Sequence, residues 1–518
     1  MTIGQKITHL RTERGLSQEA LADALEVSRQ AVSKWEIDTA QPQLDKVLKL
    51  AELFSVTTDL LLKDEKELPC KTAKERTKYF GTDGFRGKAG EELCAEHAFK
   101  IGKYLGKESR GGKILVVKDT RLSSGMLECA LSAGATSMGA DVYLLGVNTT
   151  ACASYLTYTC NFDYGVMISA SHNPYYDNGI KILSRTGEKL SDCETDKIEQ
   201  YLDEKTDTSR GKTENSIGKT VEFGEGAEKY VDYLVACAER KLNGLRVGLD
   251  TANGSACLPA REAFERLGAS VFTVADKPNG LNINDGCGST NIDTLVRFVK
   301  ECKLDIGFAY DGDADRCLAV DSTGNVVSGD GILYALGNDL MERGELNGNT
   351  VVTTVMSNSG TWESLRNRGI ESLKTQVGDR FVYEEMKRGG YSLGGEDSGH
   401  IIISKYARTG DGILTSIKLS ELAHKNGGAI ISLLDGFSTF PSIQGAVLVE
   451  NKDKTIGNPR IWEMVDYYEK VLGSGRILVR ASGTEPKIRV LVEGKSTTLC
   501  REICAELQNL ISECDSEY

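Results

Sequence analysis

A small all-helical domain followed by several α/β domains is the architecture this sequence predicts, on three observations. The chain has 518 residues, and a single hydrophobic core usually stops growing at roughly 250–300 residues. The first stretch, residues 1–65, reads as short helices with almost no strand signal. Beyond a polar linker, Asp64-Glu-Lys-Glu-Leu-Pro-Cys-Lys-Thr-Ala-Lys-Glu-Arg-Thr-Lys78, short β-branched runs alternate with amphipathic stretches and glycine turns. That alternation marks α/β domains.

Within the α/β part the elements repeat. Lys113-Ile-Leu-Val-Val-Lys-Asp-Thr120 reads as a buried strand, followed by a helical stretch and then Met138-Gly-Ala-Asp-Val-Tyr143. Leu245-Arg-Val-Gly-Leu-Asp-Thr251 is followed in the same way by Leu267-Gly-Ala-Ser-Val-Phe272. The spacings agree, with 20 positions from Asp119 to Gly139 and 18 from Asp250 to Gly268. A fainter copy begins at Thr350-Val-Val-Thr-Thr-Val-Met356 and passes through Arg368-Gly-Ile370. Three related α/β units are the simplest account. From about Phe440 the texture changes to a strand, a Ser-Gly-Thr loop, another strand and a closing helix, a smaller α+β domain.

Composition narrows the class. With 40% hydrophobic and 26% charged residues the chain reads as an ordinary globular protein. No apolar run approaches the ~20 residues of a membrane-spanning helix, and the first ten residues lack a signal peptide's apolar stretch, so a cytoplasmic protein with no membrane partner is expected. The fourteen cysteines are scattered without any Cys-x-x-Cys pair; reduced, mostly buried thiols are expected rather than a zinc site or a disulfide framework. A net charge of −13 argues against a protein that coats nucleic acid.

The sharpest motif is Tyr310-Asp311-Gly312-Asp313-Ala314-Asp315-Arg316, after the strand-like Leu304-Asp-Ile-Gly-Phe-Ala309. Carboxylates at i, i+2 and i+4 project to one side of an extended segment. Three such groups repel one another, and a hard divalent cation is the usual compensation. An EF-hand loop would need Gly and Glu where Arg316 and Ser322 stand. Three oxygens leave room for Mg²⁺ to share its shell with a phosphate; a solvated acidic turn is the alternative.

Ile168-Ser-Ala-Ser171-His172-Asn173-Pro174 follows the short strand Tyr164-Gly-Val-Met-Ile168, which puts Ser171 on a turn at a strand end, as nucleophile or as turn former. A Ser-His-Asp hydrolase is disfavoured, because His172, as the immediate neighbour, would normally face away and no Gly-x-Ser-x-Gly elbow exists. Near the C-terminus, Arg480-Ala-Ser482-Gly483-Thr484-Glu485-Pro486-Lys487-Ile-Arg489 combines small residues, which let backbone N–H groups approach a phosphate, with arginine forks. It is no Walker loop, since Arg489 occupies the first glycine position. Gly81-Thr-Asp83-Gly84-Phe-Arg86-Gly87 puts an arginine on a flexible loop, and Gly394-Gly-Glu396-Asp397-Ser398-Gly399-His400 offers groups for sugar hydroxyls. Each could equally be turn structure.

In this order the motifs resemble those of the α-D-phosphohexomutase superfamily, from Lys78 to the C-terminus. The resemblance implies three related α/β domains and a smaller α+β C-terminal domain around a cleft, at residues 79–232, 233–330, 331–439 and 440–518, after a helical domain at 1–65 and a linker at 66–78. It implies that Ser171 carries a phosphoryl group and, with Asp311, Asp313 and Asp315, binds Mg²⁺. Arg316, His172, Lys181 and Arg86 would line the transfer site, with Lys181 the better proton shuttle and His172 the alternative. Glu396 and Ser398 would bind the sugar with His400 nearby; Arg480, Ser482, Gly483, Thr484 and Arg489 would grip the phosphate that is not transferring. The sugar phosphate would pass through a 1,6-bisphosphate. Within the superfamily, Asn282-Ile-Asn-Asp-Gly-Cys-Gly-Ser-Thr290 and Val377-Gly-Asp-Arg-Phe-Val382 look most like phosphoglucosamine mutases, although Asn291 stands where His is expected and Asp397 where Gln is usual. Another hexose specificity, as in phosphomannomutase or phosphoglucomutase, is the runner-up. An intact Ser171 and three aspartates disfavour a non-catalytic sugar-phosphate sensor.

At the N-terminus, Ile3, Ile7 and Leu10 mark one helical face, Ser17 can cap a helix over Gln18–Leu25, and Ser28 can cap another over Arg29–Glu36. Val32 and Trp35 should face inward, leaving Arg29, Gln30, Ser33 and Lys34 outward, as base readout requires. The run resembles lambda-repressor-like helix-turn-helix domains, including Gln18 and Ser28, with Glu26 standing where the turn usually has Gly. The resemblance implies binding to double-stranded DNA; the module's small size and unfavourable net charge make a homodimer on paired half-sites the expected form. A helical dimerisation module is the alternative, since residues 1–65 carry a net −3.

Overall fold

The computed structural model describes residues 3–13, 18–25, 27–36, 39–42, 46–47, 49–51, 79–203, 210–482 and 486–516. The chain divides into two compact units, Met1–Lys78 with Ser191–Gln200, and Tyr79–Leu190 with Tyr201–Tyr518. The linker before Lys78, Ser17 and Glu26 lie outside the described residues. No helix among the described residues is long and apolar enough to cross a membrane.

The first unit holds α1 (Ile3–Glu13), α2 (Gln18–Ala24) and α3 (Arg29–Glu36). Ile7, Leu10, Leu21, Leu25, Val32 and Trp35 form its core with Val47 and Leu50, the inward faces their 3.6-residue spacing predicts. Ser28 caps α3 as expected, its Oγ accepting the Ala31 N–H at 3.3 Å.

The second unit opens with β1 (Phe80–Gly81) and β2 (Gly84–Lys88) and then repeats one motif three times. The first copy is β3 (Lys113–Lys118), α4 (Leu122–Ser137), β4 (Asp141–Val147), α5 (Thr150–Thr159), β5 (Tyr164–Ile168) and β6 (Asp177–Ser184). After β7 (Thr220–Glu222), the second is β8 (Arg246–Asp250), α6 (Pro259–Arg266), β9 (Ser270–Val274), α7 (Asp293–Cys302), β10 (Ile306–Tyr310) and β11 (Cys317–Asp321). After β12 (Val326–Val327), the third is β13 (Thr350–Thr354), α8 (Ser359–Asn367), β14 (Glu371–Thr375), α9 (Asp379–Gly389), β15 (Leu393–Gly395) and β16 (Ile401–Ile403).

Each copy has the same strand order: β4-β3-β5-β6, β9-β8-β10-β11 and β14-β13-β15-β16. The first three strands pair in parallel, which demands helical crossovers, and the fourth returns antiparallel. The turn before each returning strand therefore occupies the same place in its copy. These three turns are the ones that carry Ser171, the aspartates and Glu396. A continuous core joins the copies, from Leu115 and Val117 on β3 through Leu249 on β8 and Phe308 on β10 to Val351 on β13 and Ile417 in α10 (Gly412–Lys425).

The tail is richer than its sequence suggested. It adds β17 (Ser442–Leu448), α11 (Lys452–Ile456) and α12 (Pro459–Leu472) to β18 (Gly475–Ala481), β19 (Lys487–Gly494) and α13 (Thr497–Ser516). The strands pair β17-β19-β18. Ile461 and Val465 of α12 are buried and Met464, Tyr468 and Leu472 pack partly against the same core, while Trp462 and Tyr467 are exposed.

Candidate active site

Ser171 follows β5 at φ 52° and is 1% exposed. Its N–H donates to Ser169 Oγ at 2.9 Å and its hydroxyl to Asp311 Oδ2 at 2.5 Å. Gly312 permits this meeting of two turns, because a Cβ there would lie 2.5 Å from the Ser171 carbonyl oxygen. His172 does not face away, as its adjacency suggested: its Nδ1 lies 3.3 Å from Ser171 Oγ. The left-handed residue breaks the alternation of an extended chain and turns consecutive side chains to one side. Burial, Arg316 and Arg86 push His172 down to about 4.

The three aspartates do not lie on an extended segment. The chain turns through residues 312–315, with Ala314 at φ 56°, and the turn itself makes the carboxylates converge. All three are buried, and one oxygen from each lies within 4.8 Å of the others. Burial, with Asp315 and Asp313 beside it, pushes Asp311 up to about 8. Lys181 reaches in from β6, its Nζ donating to Asp313 Oδ2 at 2.7 Å and Asp315 Oδ2 at 3.1 Å, and lying 3.1 Å from Asp83 Oδ2. Burial opposes the ammonium, but Asp313, Asp315 and Asp83 outweigh it and hold its pKa well above the usual lysine value.

Burial beside Asp315 and Asp313 disfavours the ionised form of Asp311. Asp313 Oδ1 and Asp315 Oδ1 are also buried without a hydrogen-bond partner in the protein. Hard oxygens, two of them unengaged and close together, suit a small divalent cation. Thr150 steadies the set by donating its hydroxyl to Asp313 Oδ2 at 2.6 Å.

Arg86 is not on a loop. It sits in β2, opposite Gly179 of β6, because the β1–β2 chain continues the sheet instead of wandering. Its guanidinium pairs with Asp83, while its Nε and that of Arg316, which lies 4.0 Å from Asp315 Oδ1, are buried without a hydrogen-bond partner in the protein. Two forks with donors to spare beside a buried serine form an anion cradle. In the third turn, Glu396 accepts the Gly378 N–H at 3.1 Å and Ser398 is exposed. Gly399, at φ 92°, passes so close to β11 that a Cβ would lie 2.4 Å from the Cys317 carbonyl. His400 is buried; its Nε2 accepts the Gly410 N–H at 2.9 Å, which leaves Nδ1 to face Asp315 Oδ2 at 3.8 Å.

In the C-terminal hairpin, Arg480 on β18 stands directly opposite Arg489 on β19, and both are exposed. Like charges at facing positions destabilise a sheet unless an anion lies between them. Ser482 is buried, and its carbonyl accepts from Lys452 Nζ at 2.7 Å. Gly483 and Thr484 lie outside the described residues.

Sequence reasoning passed over three residues. Arg121 and Asn284 both hydrogen-bond the main chain of the Ser171 turn. Lys189 joins Asp83 and Asp379 at 2.5 Å each, linking the first and third copies. Arg121 directly follows the Asp119-Thr120 end of a repeated strand, and Asn284 lies in the segment that resembles phosphoglucosamine mutases, so both carried a signal that was not read as contact.

In the N-terminal unit, Arg29, Gln30 and Lys34 are exposed on α3 and Ser33 is half-buried. Ser28 is exposed beside them. Gln18 is engaged within the domain instead. Its amide donates to Glu36 Oε2 at 2.7 Å, and Arg11 Nε binds Glu36 Oε1 at 2.5 Å. That network ties α1, α2 and α3 together.

Three α/β copies, a buried serine against an aspartate triad, and a two-arginine hairpin together define a phosphohexomutase. Comparison with known proteins agrees. The phosphoglucomutase/phosphomannomutase family matches with its alpha/beta/alpha domains I, II and III at residues 77–209, 228–324 and 328–440 and its C-terminal domain at 446–510. A helix-turn-helix family matches residues 7–61. The chain is 48% identical over 429 residues to the phosphoglucosamine mutase of Lachnoclostridium phytofermentans, covering 82% of this chain and 96% of that one. It is 46% identical over 430 residues to that of Bacillus subtilis, with the same coverage. The chain belongs to the phosphoglucosamine mutase family. Solved structures share its fold: a phosphoglucomutase/phosphomannomutase family protein of Burkholderia thailandensis has a TM-score of 0.70 at 23% identity, covering 84% of this chain and 97% of its own. The N-acetylphosphoglucosamine mutase of Aspergillus fumigatus, solved with GlcNAc-6P and magnesium, gives 0.61 at 18%, covering 86% and 97%.

Proposed function

We propose that this chain interconverts glucosamine 6-phosphate and glucosamine 1-phosphate through a phosphoryl group carried on Ser171, and that its N-terminal domain binds double-stranded DNA. The observation that carries the catalytic reading is Ser171 Oγ at 2.5 Å from Asp311 Oδ2, beside two arginine Nε atoms with no hydrogen-bond partner in the protein.

Asp311, Asp313 and Asp315, with an oxygen on Ser171, would hold Mg²⁺, which when bound neutralises the carboxylates and the phosphoryl oxygens. The chain's own groups do the rest. Arg86 and Arg316 hold the phosphoryl oxygens while the Ser171 Oγ–P bond breaks and a new P–O bond forms to a sugar hydroxyl. Transfer of this kind needs mainly positioning and charge neutralisation. The hydroxyl's proton goes to His172 Nδ1, 3.3 Å from Ser171 Oγ, because the Lys181 ammonium, kept protonated by Asp313, Asp315 and Asp83, has no lone pair to accept it. Glu396 and Ser398 orient the sugar. Arg480, Ser482, Gly483, Thr484 and Arg489 grip the phosphate that is not transferring. The resulting 1,6-bisphosphate turns over in the site and returns its other phosphoryl group to Ser171, so the serine is restored and the phosphate has moved by net isomerisation.

The test is kcat/KM for glucosamine, glucose and mannose 6-phosphates with Mg²⁺, because specificity is a ratio of those values. A higher value for glucose or mannose phosphate moves the chain to the other hexose specificity. For the DNA reading, the exposed Arg29, Gln30 and Lys34 are the support, and a module this small should act as a dimer on paired half-sites. Selection of genomic fragments at low salt should enrich one sequence; no enrichment favours a dimerisation module.

A further inference from the structure

Four main-chain carbonyls of the turn that carries Ser171 point at one guanidinium. Arg121, 3% exposed, donates from Nη2 to the carbonyls of Ser171 at 2.9 Å and Asn173 at 2.8 Å, and from Nη1 to those of Asp177 at 3.1 Å and Pro174. The arginine is itself fixed. Its Nε donates to Asp119 Oδ2 at 2.7 Å in a fully buried ion pair, and Asp119 Oδ1 accepts the Arg121 N–H at 3.0 Å and the Ser124 hydroxyl at 2.8 Å. Asn284, from the second α/β copy, makes the complementary contact. Its Nδ2 donates to the same carbonyls of Ser171 and Asn173, at 2.9 and 3.0 Å. The Asn284 main chain is anchored in turn, its N–H donating to the Ala252 carbonyl at 2.9 Å. A carbonyl oxygen has two lone pairs, so those of Ser171 and Asn173 are saturated by this pair of residues.

We infer that Arg121 and Asn284 are positioning residues that clamp Ser171 in its left-handed conformation and so aim Oγ at the aspartate turn. The inference rests on the reading of Ser171 as the phosphoryl carrier. The left-handed region is disfavoured for a residue with a Cβ, so the turn would relax toward ordinary φ values without the clamp. The clamp also has one jaw on the serine's own α/β copy and the other on the copy that bears the aspartates. It therefore sets the distance and angle between the two halves of the site, which in-line transfer depends on. A misplacement of about 1 Å is enough to cost about 10²-fold in rate. A lysine at 121 keeps the charge but has no planar fork to span four carbonyls. Aspartate at 284 loses both donors and sets a carboxylate against two carbonyl oxygens.

The test uses the full chain with Mg²⁺ and a hexose 1,6-bisphosphate as phosphoryl donor. Arg121→Lys and Asn284→Asp should each lower kcat about 10²-fold, and Asn284→Ala about 10-fold, with KM within about threefold of the parent. The rate of Ser171 phosphorylation, followed by intact mass in a single turnover, should fall by the same factors as kcat. A merely structural role would lower the melting temperature and leave the rates of the folded fraction unchanged; that outcome overturns the inference. Should Arg121→Lys not fold, Asn284→Ala decides alone: parent-like phosphorylation and kcat in that variant overturn the proposal. Ser171→Ala separates the two claims. If it stays active, the phosphoserine reading falls; if it is inactive while the Asn284 variants match the parent, only the clamp falls.

Discussion

The turn around Ser171 and the hairpin around Arg480 both gather positive charge for a phosphate, and they do so in opposite surroundings. At Ser171 the charged groups are buried or half-buried and held on fixed partners: Lys181 on two aspartates, Arg86 on Asp83, the serine hydroxyl on Asp311. At the hairpin, Arg480 and Arg489 face each other from exposed strand positions. The first arrangement suits bond making, where misplacement is costly and low local polarity strengthens every charge. The second suits capture of whichever end of a bisphosphate is not reacting, since two guanidinium forks on neighbouring strands face the solvent together. The proposed function would then divide accordingly, with rate set in the buried turn and affinity in the exposed hairpin.

That division is open to direct attack. The largest effect should follow from removing the acceptor: Ser171→Ala is expected to reduce kcat by roughly 10⁴-fold or more, with no phosphate added in an intact-mass spectrum after incubation with bisphosphate. Next come the aspartates. Asp313→Asn, or removal of divalent metal with EDTA, should lower kcat by about 10³-fold. Returning Mg²⁺ should restore the parent after EDTA but not the variant. In the hairpin, Arg480→Ala and Arg489→Ala should instead raise KM by about 10–100-fold, the worth of one charged hydrogen bond to phosphate, with kcat changed several-fold at most. Steady-state kinetics that put the loss in kcat would break the comparison.

A smaller effect concerns the scaffold shared by both regions. Burial pushes Asp411, the N-cap of α10, up to about 6. Its carboxyl accepts the Leu414 N–H at 2.9 Å and the Tyr230 hydroxyl at 2.8 Å. A carboxyl whose folded pKa is raised stabilises fully below the unfolded value near 4, and that contribution is lost as pH rises through about 6. Asp411→Asn keeps the capping oxygen and cannot ionise. Relative to the parent it should therefore gain on the order of 2 kcal/mol between pH 4 and pH 7 in urea denaturation. The smallest effect should come from the N-terminal domain. Arg29→Ala with Lys34→Ala should leave mutase kcat/KM within about twofold while reducing the salt slope of DNA binding by about 2.

Much of this protein was legible along the chain because its signals are local. The Lys113 and Leu245 strands, with their turn spacings, showed the repeated strand–helix–strand order, and Val32 and Trp35 showed the inward face of α3. Motif chemistry named Ser171 and the aspartates. The α12 helix was passed over, although Ile461, Met464, Val465, Tyr468 and Leu472 recur at helical spacing. Nor was the geometry of the aspartates, because i, i+2, i+4 spacing describes an extended chain and says nothing of a turn with Ala314 in left-handed space.

The sequence by itself determined the order of the elements, the three copies and the kinds of group available for chemistry, because propensity, hydrophobic period and motif spacing act over a few residues at a time. Only the tertiary structure decided which of those groups meet. Asp311 lies 140 residues beyond Ser171, and Asn284 lies 113 beyond it. Their meeting depends on two equivalent turns of two α/β copies being brought together over a common core, and on Gly312 leaving room at the point of contact. The buried charges follow from the same fact. Lys181 holds its proton because Asp313, Asp315 and Asp83 outweigh its burial, and Asp311 is pushed to about 8 because folding buries it beside Asp315 and Asp313.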